Sequence, residues 1–287
     1  MEVNLQNRIT LITGANSGLG KATALQLAAM GATVVMVCRS RERGKAAQDE
    51  IITRSGNSTV DLLLADLSSQ QSIRQLVQTF TAKYDRLHLL INNAGNSFNQ
   101  RALTIDGIER SFATNHLAPF LLTNLLLDTL KGSVPARIIN VGTRFNTTLQ
   151  FNDLQYEKRR YNGLQAYAET KLGNIMFTYE LARRLYGSGV TVNCVHPGVF
   201  KSNLGSNNGE QEPWFLRVIS WLGQRILPDP ERAAERVLYL AVSPEVEGVS
   251  GKYFGDKREI KSPAQTYDTQ STQRLWRISA QLTGLEH

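Results

Sequence analysis

Apolar residues in this chain cluster in short continuous runs, Arg8 to Thr13, Ala32 to Cys38, Thr59 to Ala65, Leu87 to Asn92, Arg137 to Gly142, Val190 to Val195 and Gly251 to Phe254. Between the first runs, at Lys21 to Met30 and Ser69 to Lys83, apolar positions return every three or four residues instead. Continuous runs predict strands buried on both faces, and the longer period predicts amphipathic helices. Strand and helix alternating in this way predict an α/β fold, a Rossmann-like, doubly wound parallel sheet of about seven strands with helices on both faces. Further helices are expected over Thr104 to Lys131, interrupted by Pro119, from the region of Tyr167 to about Tyr186, over Pro230 to Ala241, and briefly around Arg274 to Ile278. A chain of 287 residues with this pattern predicts a single domain spanning 1–287.

In such sheets ligands gather at the carboxyl ends of the strands, so the residues that follow each run carry the chemistry. The first run ends in Gly14-Ala15-Asn16-Ser17-Gly18-Leu19-Gly20, just before a helix. Glycines there permit a tight turn and close backbone approach, and the helix start offers unpaired N–H groups to a pyrophosphate. The second run ends in Arg39-Ser40-Arg41, with no carboxylate before Glu42. A carboxylate would hold a free ribose hydroxyl, whereas a guanidinium suits a 2′-phosphate, so NADP(H) is the expected cofactor. Asp66 follows the third strand, placed either to meet an adenine edge or to cap the next helix. Asn92-Asn93-Ala94-Gly95 closes the fourth strand with the small and amide residues expected where backbone nears a ligand. Thr143 follows the fifth strand and Pro197-Gly198 the sixth, which would bring Thr143, Tyr167 and Gly198 around one substrate.

Tyr167 and Lys171 stand four residues apart on an expected helix, so both side chains rise from one face and the ammonium can favour the phenolate. The spacing alone is weak evidence, because Tyr253-Phe254-Gly255-Asp256-Lys257 repeats it. Gly255 and Asp256 predict a strand end and turn for the second copy, leaving the first as the candidate site. Pro119 denies the residue four back, Asn115, its helical hydrogen bond, so the Asn115 carbonyl is expected to be left open.

Composition narrows the function classes. The net charge is +7, yet the basic residues are scattered, which argues against a nucleic-acid-binding face. Two cysteines, Cys38 and Cys194, both in buried runs, read as inert thiols in a reducing compartment, and a cytoplasmic enzyme is expected. His196 has no second ligand at metal spacing, so no metal is expected. The region 201–227 combines an Asn-, Ser- and Gly-rich stretch with Trp214 and Trp221, and reads as a lid over an apolar substrate. Trp214 to Leu222 also fits a weak membrane-surface contact or an ordinary core-facing helix.

Taken together, Thr13 to Gly20, Asn92 to Gly95, Thr114-Asn115-His116-Leu117, the Tyr167/Lys171 pair and Pro197-Gly198 stand in the order that resembles the short-chain dehydrogenase/reductase family. Cys38-Arg39, the long spacing from Thr143 to Tyr167, and Glu180 to Leu185 followed by Gly189 to Val192 resemble its retinol dehydrogenase-like branch. The resemblance implies an NADP(H)-dependent oxidoreductase acting on a small apolar carbonyl compound or alcohol, such as a retinoid, steroid or lipid aldehyde. It implies that Tyr167 exchanges a proton with the substrate oxygen, that Lys171 lowers the tyrosine pKa and holds the nicotinamide ribose, and that Asn115 holds a relay water on its carbonyl. The cofactor site it implies comprises Gly14, Asn16, Ser17, Gly18, Leu19, Gly20, Arg39, Asp66, Leu67, Asn93, Ala94, Gly95, Tyr167, Lys171, Pro197, Gly198 and Val199. The family often pairs through its long helices, which implies a homo-oligomer, and many eukaryotic relatives carry an N-terminal anchor that this chain, beginning almost at its first strand, is expected to lack. Two positions depart from the pattern: Gly142-Thr143 replaces the usual Ser-Ser, and Ala118-Pro119 replaces a common Gly-His. A protochlorophyllide reductase-like enzyme and an inactive NADP(H)-binding regulator are the alternatives.

Overall fold

The computed structural model describes residues 4–201 and 227–285. Along the chain, β1 (Ile9–Thr13), α1 (Gly18–Ala29), β2 (Thr33–Cys38), α2 (Arg41–Ser55), β3 (Val60–Leu64), α3 (Gln70–Lys83) and β4 (Leu89–Asn92) form the first half. The second half runs α4 (Arg110–Phe112), a π-helical turn (Ala113–Leu117), α5 (Ala118–Leu125), α6 (Leu127–Lys131), β5 (Ala136–Val141), α7 (Gly163–Arg184) and β6 (Val190–His196). It closes with α8 (Pro230–Val242), β7 (Lys252–Gly255), β8 (Arg258–Glu259) and α9 (Thr269–Thr283).

The strands form one sheet in the order β3-β2-β1-β4-β5-β6-β7-β8, parallel throughout except where β8 pairs antiparallel with β7. The chain reverses its direction of travel across the sheet between β1 and β4, so the crevice that binds ligands in such folds opens at Thr13 and Asn92. Because successive strand side chains point to opposite faces, the apolar runs build two cores. Ile12, Val34, Met36 and Ile91 pack under α1, α2 and α8, while Leu11, Val35, Val37 and Leu90 pack under α3, α5, α7 and α9.

The apolar runs place all seven expected strands within a residue or two. The eighth, Arg258–Glu259, has two exposed residues and no apolar pattern to announce it. The expected helix from Thr104 begins only at Arg110, because Leu103 and Glu109 pair as a β-bridge and the intervening residues turn. Glu109 then caps the helix, accepting from the Ser111 and Phe112 N–H groups. The short helix expected around Arg274 extends over Thr269–Thr283, capped by Asp268 at one end and left-handed Gly284 at the other. All but the end residues of the expected lid region 201–227, including the Trp214 to Leu222 membrane-contact reading, lie outside the described residues. At its ends the Lys201 N–H donates to the Pro228 carbonyl at 3.0 Å. Among the described residues no helix is long and apolar enough to cross a membrane.

Candidate active site

At the end of β1, Gly14 and Gly18 adopt left-handed backbone, with φ of 67° and 53°. A side chain at Gly20 would collide with the Gly14 carbonyl and the Asn93 amide, so only glycine lets α1 approach the strand ends. Ser17 precedes α1 in extended conformation, its side chain makes no capping bond, and no acidic residue occupies the first turn. The N–H groups of that turn are therefore unclaimed by a cap, a cradle of the size and polarity a pyrophosphate needs. Leu19 contributes backbone there, since its side chain is buried in the core. Asn16 is partly exposed beside it.

Thr13 locks this cradle to the neighbouring strand. Its Oγ1 accepts from the N–H groups of Asn93 and Ala94, both at 3.0 Å, and its carbonyl accepts from Asn93 Nδ2 at 2.8 Å. Arg39 is exposed just beyond β2, and Ser40 caps α2 by accepting from the Arg43 N–H. Asp66 forms a local turn, its Oδ1 accepting from the N–H and hydroxyl of Ser68, while Leu67 packs against the core. The helix cap at that point is Ser69, not Asp66.

The chemistry converges between β4, β5 and α7. Lys171 is buried, and its Nζ donates to the carbonyl of Val141, the last residue of β5, at 2.9 Å. The same Nζ lies 5.7 Å from the centre of the Tyr167 ring. A Cβ at Gly95 would stand 2.9 Å from it, so the glycine ending the β4 loop is what admits the lysine. Asn115 fastens that loop from the other side, accepting from the Asn96 N–H and donating to the Asn96 carbonyl, both at 2.8 Å. Thr143 stands partly exposed after β5.

Two expectations about this cluster are corrected. The Asn115 carbonyl is not left open, because Asn174 Nδ2 donates to it at 2.8 Å. Pro119 does lack its N–H, but the π-helical turn before it re-registers the backbone, with Ala118 N–H reaching the Ala113 carbonyl, and α7 supplies a side-chain donor where the helix cannot. A carbonyl oxygen has two lone pairs, so a second acceptor position remains. Nor does the lysine draw down the tyrosine in the free chain: burial pushes the Tyr167 phenol up to about 12. Burial also pulls Lys171 down to about 8, against an opposing pull from Cys194.

Several contributors were invisible in the sequence. Phe145 sets its ring edge-on to Tyr167, with centroids 6.3 Å apart, and is 36% exposed, so it walls the open side of the phenol. Arg159 holds the loop 143–162 by a bidentate pair of hydrogen bonds donated to buried Glu169, Nη1 to Oε1 at 2.9 Å and Nη2 to Oε2 at 3.1 Å, two residues past Tyr167. Arg236 of α8 donates to the Pro197 carbonyl at 2.9 Å and pairs with Asp256, setting the loop in which Gly198 has φ 84° and Val199 is exposed. A Cβ at Gly142 would sit 2.6 Å from Cys194 Sγ, which explains why the usual first serine is absent. Cys194 itself is fully buried and its thiol is pushed up to about 12 by burial, in keeping with an inert thiol.

Tyr253 is buried within β7 and Lys257 sits in a left-handed turn, so the second Tyr–Lys spacing builds no site. The buried His196 Nδ1 has no hydrogen-bond partner among the described residues.

Comparison with known proteins agrees with this geometry. A family model described as short chain dehydrogenase matches residues 8–213. Retinol dehydrogenase 13 of Homo sapiens is 42% identical over 292 aligned positions, covering 99% of this chain and 87% of the relative. Among solved structures, an uncharacterized protein from Mycobacterium Paratuberculosis superposes with a TM-score of 0.79 at 31% identity, covering 99% of this chain and 96% of the other. A Pseudomonas aeruginosa RhlG/NADP active-site complex gives a TM-score of 0.68 at 26% identity, covering 88% and 96%.

Proposed function

The chain belongs to the short-chain dehydrogenase family of oxidoreductases, in its retinol dehydrogenase-like branch, and we propose that it is an NADP(H)-dependent enzyme interconverting an apolar carbonyl compound and its alcohol. The observation that carries the reading is the convergence of Tyr167, Lys171 and the Asn115 turn beside the glycine cradle, at the strand ends where β1 and β4 part. Arg39 supports NADP(H): it is an exposed cation directly after β2, where a 2′-phosphate needs a charge partner and a carboxylate would repel it. NADPH, when bound, would supply the hydride, and Lys171 would be the residue that holds its nicotinamide ribose.

The chain's own residues divide the remaining work. In reduction, Tyr167 Oη gives its proton to the substrate oxygen as the carbonyl carbon gains hydride; in oxidation the phenolate takes that proton back. Burial raises the Tyr167 phenol, and the Lys171 ammonium, 5.7 Å from the ring centre, is the nearby positive charge that would favour the phenolate. Thr143 supplies the hydroxyl that orients the substrate oxygen, its extra methyl group narrowing the space beside the reacting carbon. Phe145 offers an apolar face to the substrate, which suits a retinoid or lipid aldehyde.

The test is steady-state turnover of the full chain with NADPH and with NADH against all-trans-retinal, medium-chain aldehydes and steroid ketones. Turnover with NADPH on at least one apolar carbonyl is expected. Tight NADPH binding with no turnover across the panel would replace this reading with a cofactor-binding regulator, and a preference for NADH would overturn the cofactor assignment.

A further inference from the structure

At the opposite end of the sheet from Tyr167, the structure holds a cleft of about 610 Å3 that no part of the catalytic reading uses. Strand register builds its floor. Thr10 of β1 stands beside Leu89 of β4, Leu89 beside Arg137 of β5, and Arg137 beside Thr191 of β6. Aligned positions of a parallel sheet share a face, so these four side chains form one row at the amino ends of the strands, and all four line the cleft. The last turn of α8 and the residues after it form the facing wall, with Val242, Pro244 and Glu247. Its volume falls within the range of small-molecule sites.

The polar groups in this cleft lean toward one sign. Arg8, at the entry to β1, and Arg137 both line it, against Glu247 as the single carboxylate. Arg137 Nη1 donates to the carbonyls of Leu240 and Ser243, both at 3.0 Å, which fixes the guanidinium against the end of α8. Burial lowers the Arg137 pKa, Glu247 opposes this, and Arg8 adds to it, so the two guanidiniums repel across the cleft. His88 accepts the Ile9 N–H on Nδ1 at 3.0 Å, which leaves its other ring nitrogen as the proton donor of the neutral ring. Burial, with Arg8 and Arg86, lowers the His88 pKa.

One further atom points to a ligand. Thr10 is 1% exposed, and its Oγ1 is buried with no hydrogen-bond partner among the described residues. A buried hydroxyl costs stability until something bonds to it. It lies in the same row as Arg137 and next to Leu89, while Ala136 and Val190, from the other face of the sheet, line the cleft where it wraps the strand ends.

We propose that this cleft is a second binding site, separate from the active site, for an amphipathic anion: a carboxylate held by Arg8 and Arg137 near the Thr10 hydroxyl, with its apolar body along the strand ends. The guanidiniums give the carboxylate charge-assisted hydrogen bonds, and the apolar walls bind the stem.

Calorimetric titration of the full chain with decanoate, in saturating NADPH, tests the proposal. One equivalent of decanoate is expected to bind, and decanol about tenfold or more weakly, since it has the stem without the charge. Arg8→Gln should weaken decanoate binding by about tenfold. Thr10→Val, which keeps the side-chain shape, should weaken it severalfold. Thermal unfolding checks that each variant is folded, and the decanoate–decanol comparison on the unaltered chain stands if one is not. No binding at millimolar decanoate, equal affinity for decanol, or binding that folded Arg8→Gln leaves untouched would each overturn the site.

Discussion

Asn174 Nδ2 donates to the backbone carbonyl of Asn115 at 2.8 Å, tying α7 to the π-helical turn. This bond decides the orientation of a buried chain of polar groups. With its NH2 committed to a carbonyl, Asn174 turns its oxygen toward His116 Nδ1, 3.2 Å away, so that nitrogen must carry the proton. Burial holds His116 down to about 4, so the ring is neutral near pH 7 and Nε2 is an acceptor. Ser279 Oγ, 2.9 Å from Nε2, then donates to the ring, turning from the Leu275 carbonyl it also reaches. The C-terminal helix α9 thereby fixes the position of a carbonyl in the active site.

Asn174→Ala should lower kcat by roughly ten- to hundredfold while leaving KM for NADPH unchanged, because the carbonyl loses its restraint but the cradle does not. Asn174→Asp separates the two roles of the amide. An aspartate accepts from His116 yet cannot donate to Asn115, so it should fail to rescue kcat. Parallel kinetics of the two variants check this; an aspartate variant with native kcat would show that the donated bond has no part in turnover.

Lys171 gives a pH signature. Its folded pKa, about 8, lies below its ordinary value of 10.5, so between these values the unfolded chain still binds a proton that the folded chain has released. Native stability therefore rises with pH across that window, and below pH 8 the folded chain bears the whole cost of the buried charge. Lys171→Met should abolish turnover yet stabilise the cofactor-free chain at pH 7 by on the order of 2–3 kcal/mol, with the gap closing as pH rises toward 10.5. Denaturant unfolding at pH 7, 9 and 10.5 measures it.

Gly142 and Cys194 form a mutually dependent pair. Gly142→Ser restores the residue usual in the family but drives its Cβ to 2.6 Å from the Cys194 sulfur, and should destabilise the chain by about 1–3 kcal/mol. Cys194→Ala removes the sulfur and should recover most of that loss in the double variant. A double-mutant cycle by thermal unfolding reads the coupling, which should be absent if the two residues are independent.

The proposed NADP(H) preference can be tested at Arg39. Arg39→Ala should raise KM for NADPH by about tenfold and leave KM for NADH nearly unchanged, because only the phosphorylated ribose loses a charge partner. Initial rates with both cofactors decide it.

The sequence by itself determined the sheet, because strands buried on both faces must be apolar throughout, and runs such as Ala32 to Cys38 leave no other reading. It also determined the cradle, since Gly14, Gly18 and Gly20 stand where the backbone turns left-handed or touches a neighbour. It separated Tyr167 from Tyr253 by the turn residues beside the second. What it could not supply was which side chains reach across from distant elements. The partner of the Asn115 carbonyl comes from a position 59 residues away, and the partner of His116 Nε2 from one 163 residues away. Local pattern carries backbone preference and burial, but a hydrogen bond between α5's approach, α7 and α9 exists only once packing has set their distances. The tertiary structure alone therefore decided that the carbonyl freed by Pro119 would be claimed, that Lys171 would rest on Val141, and that Gly142 would make room for a thiol.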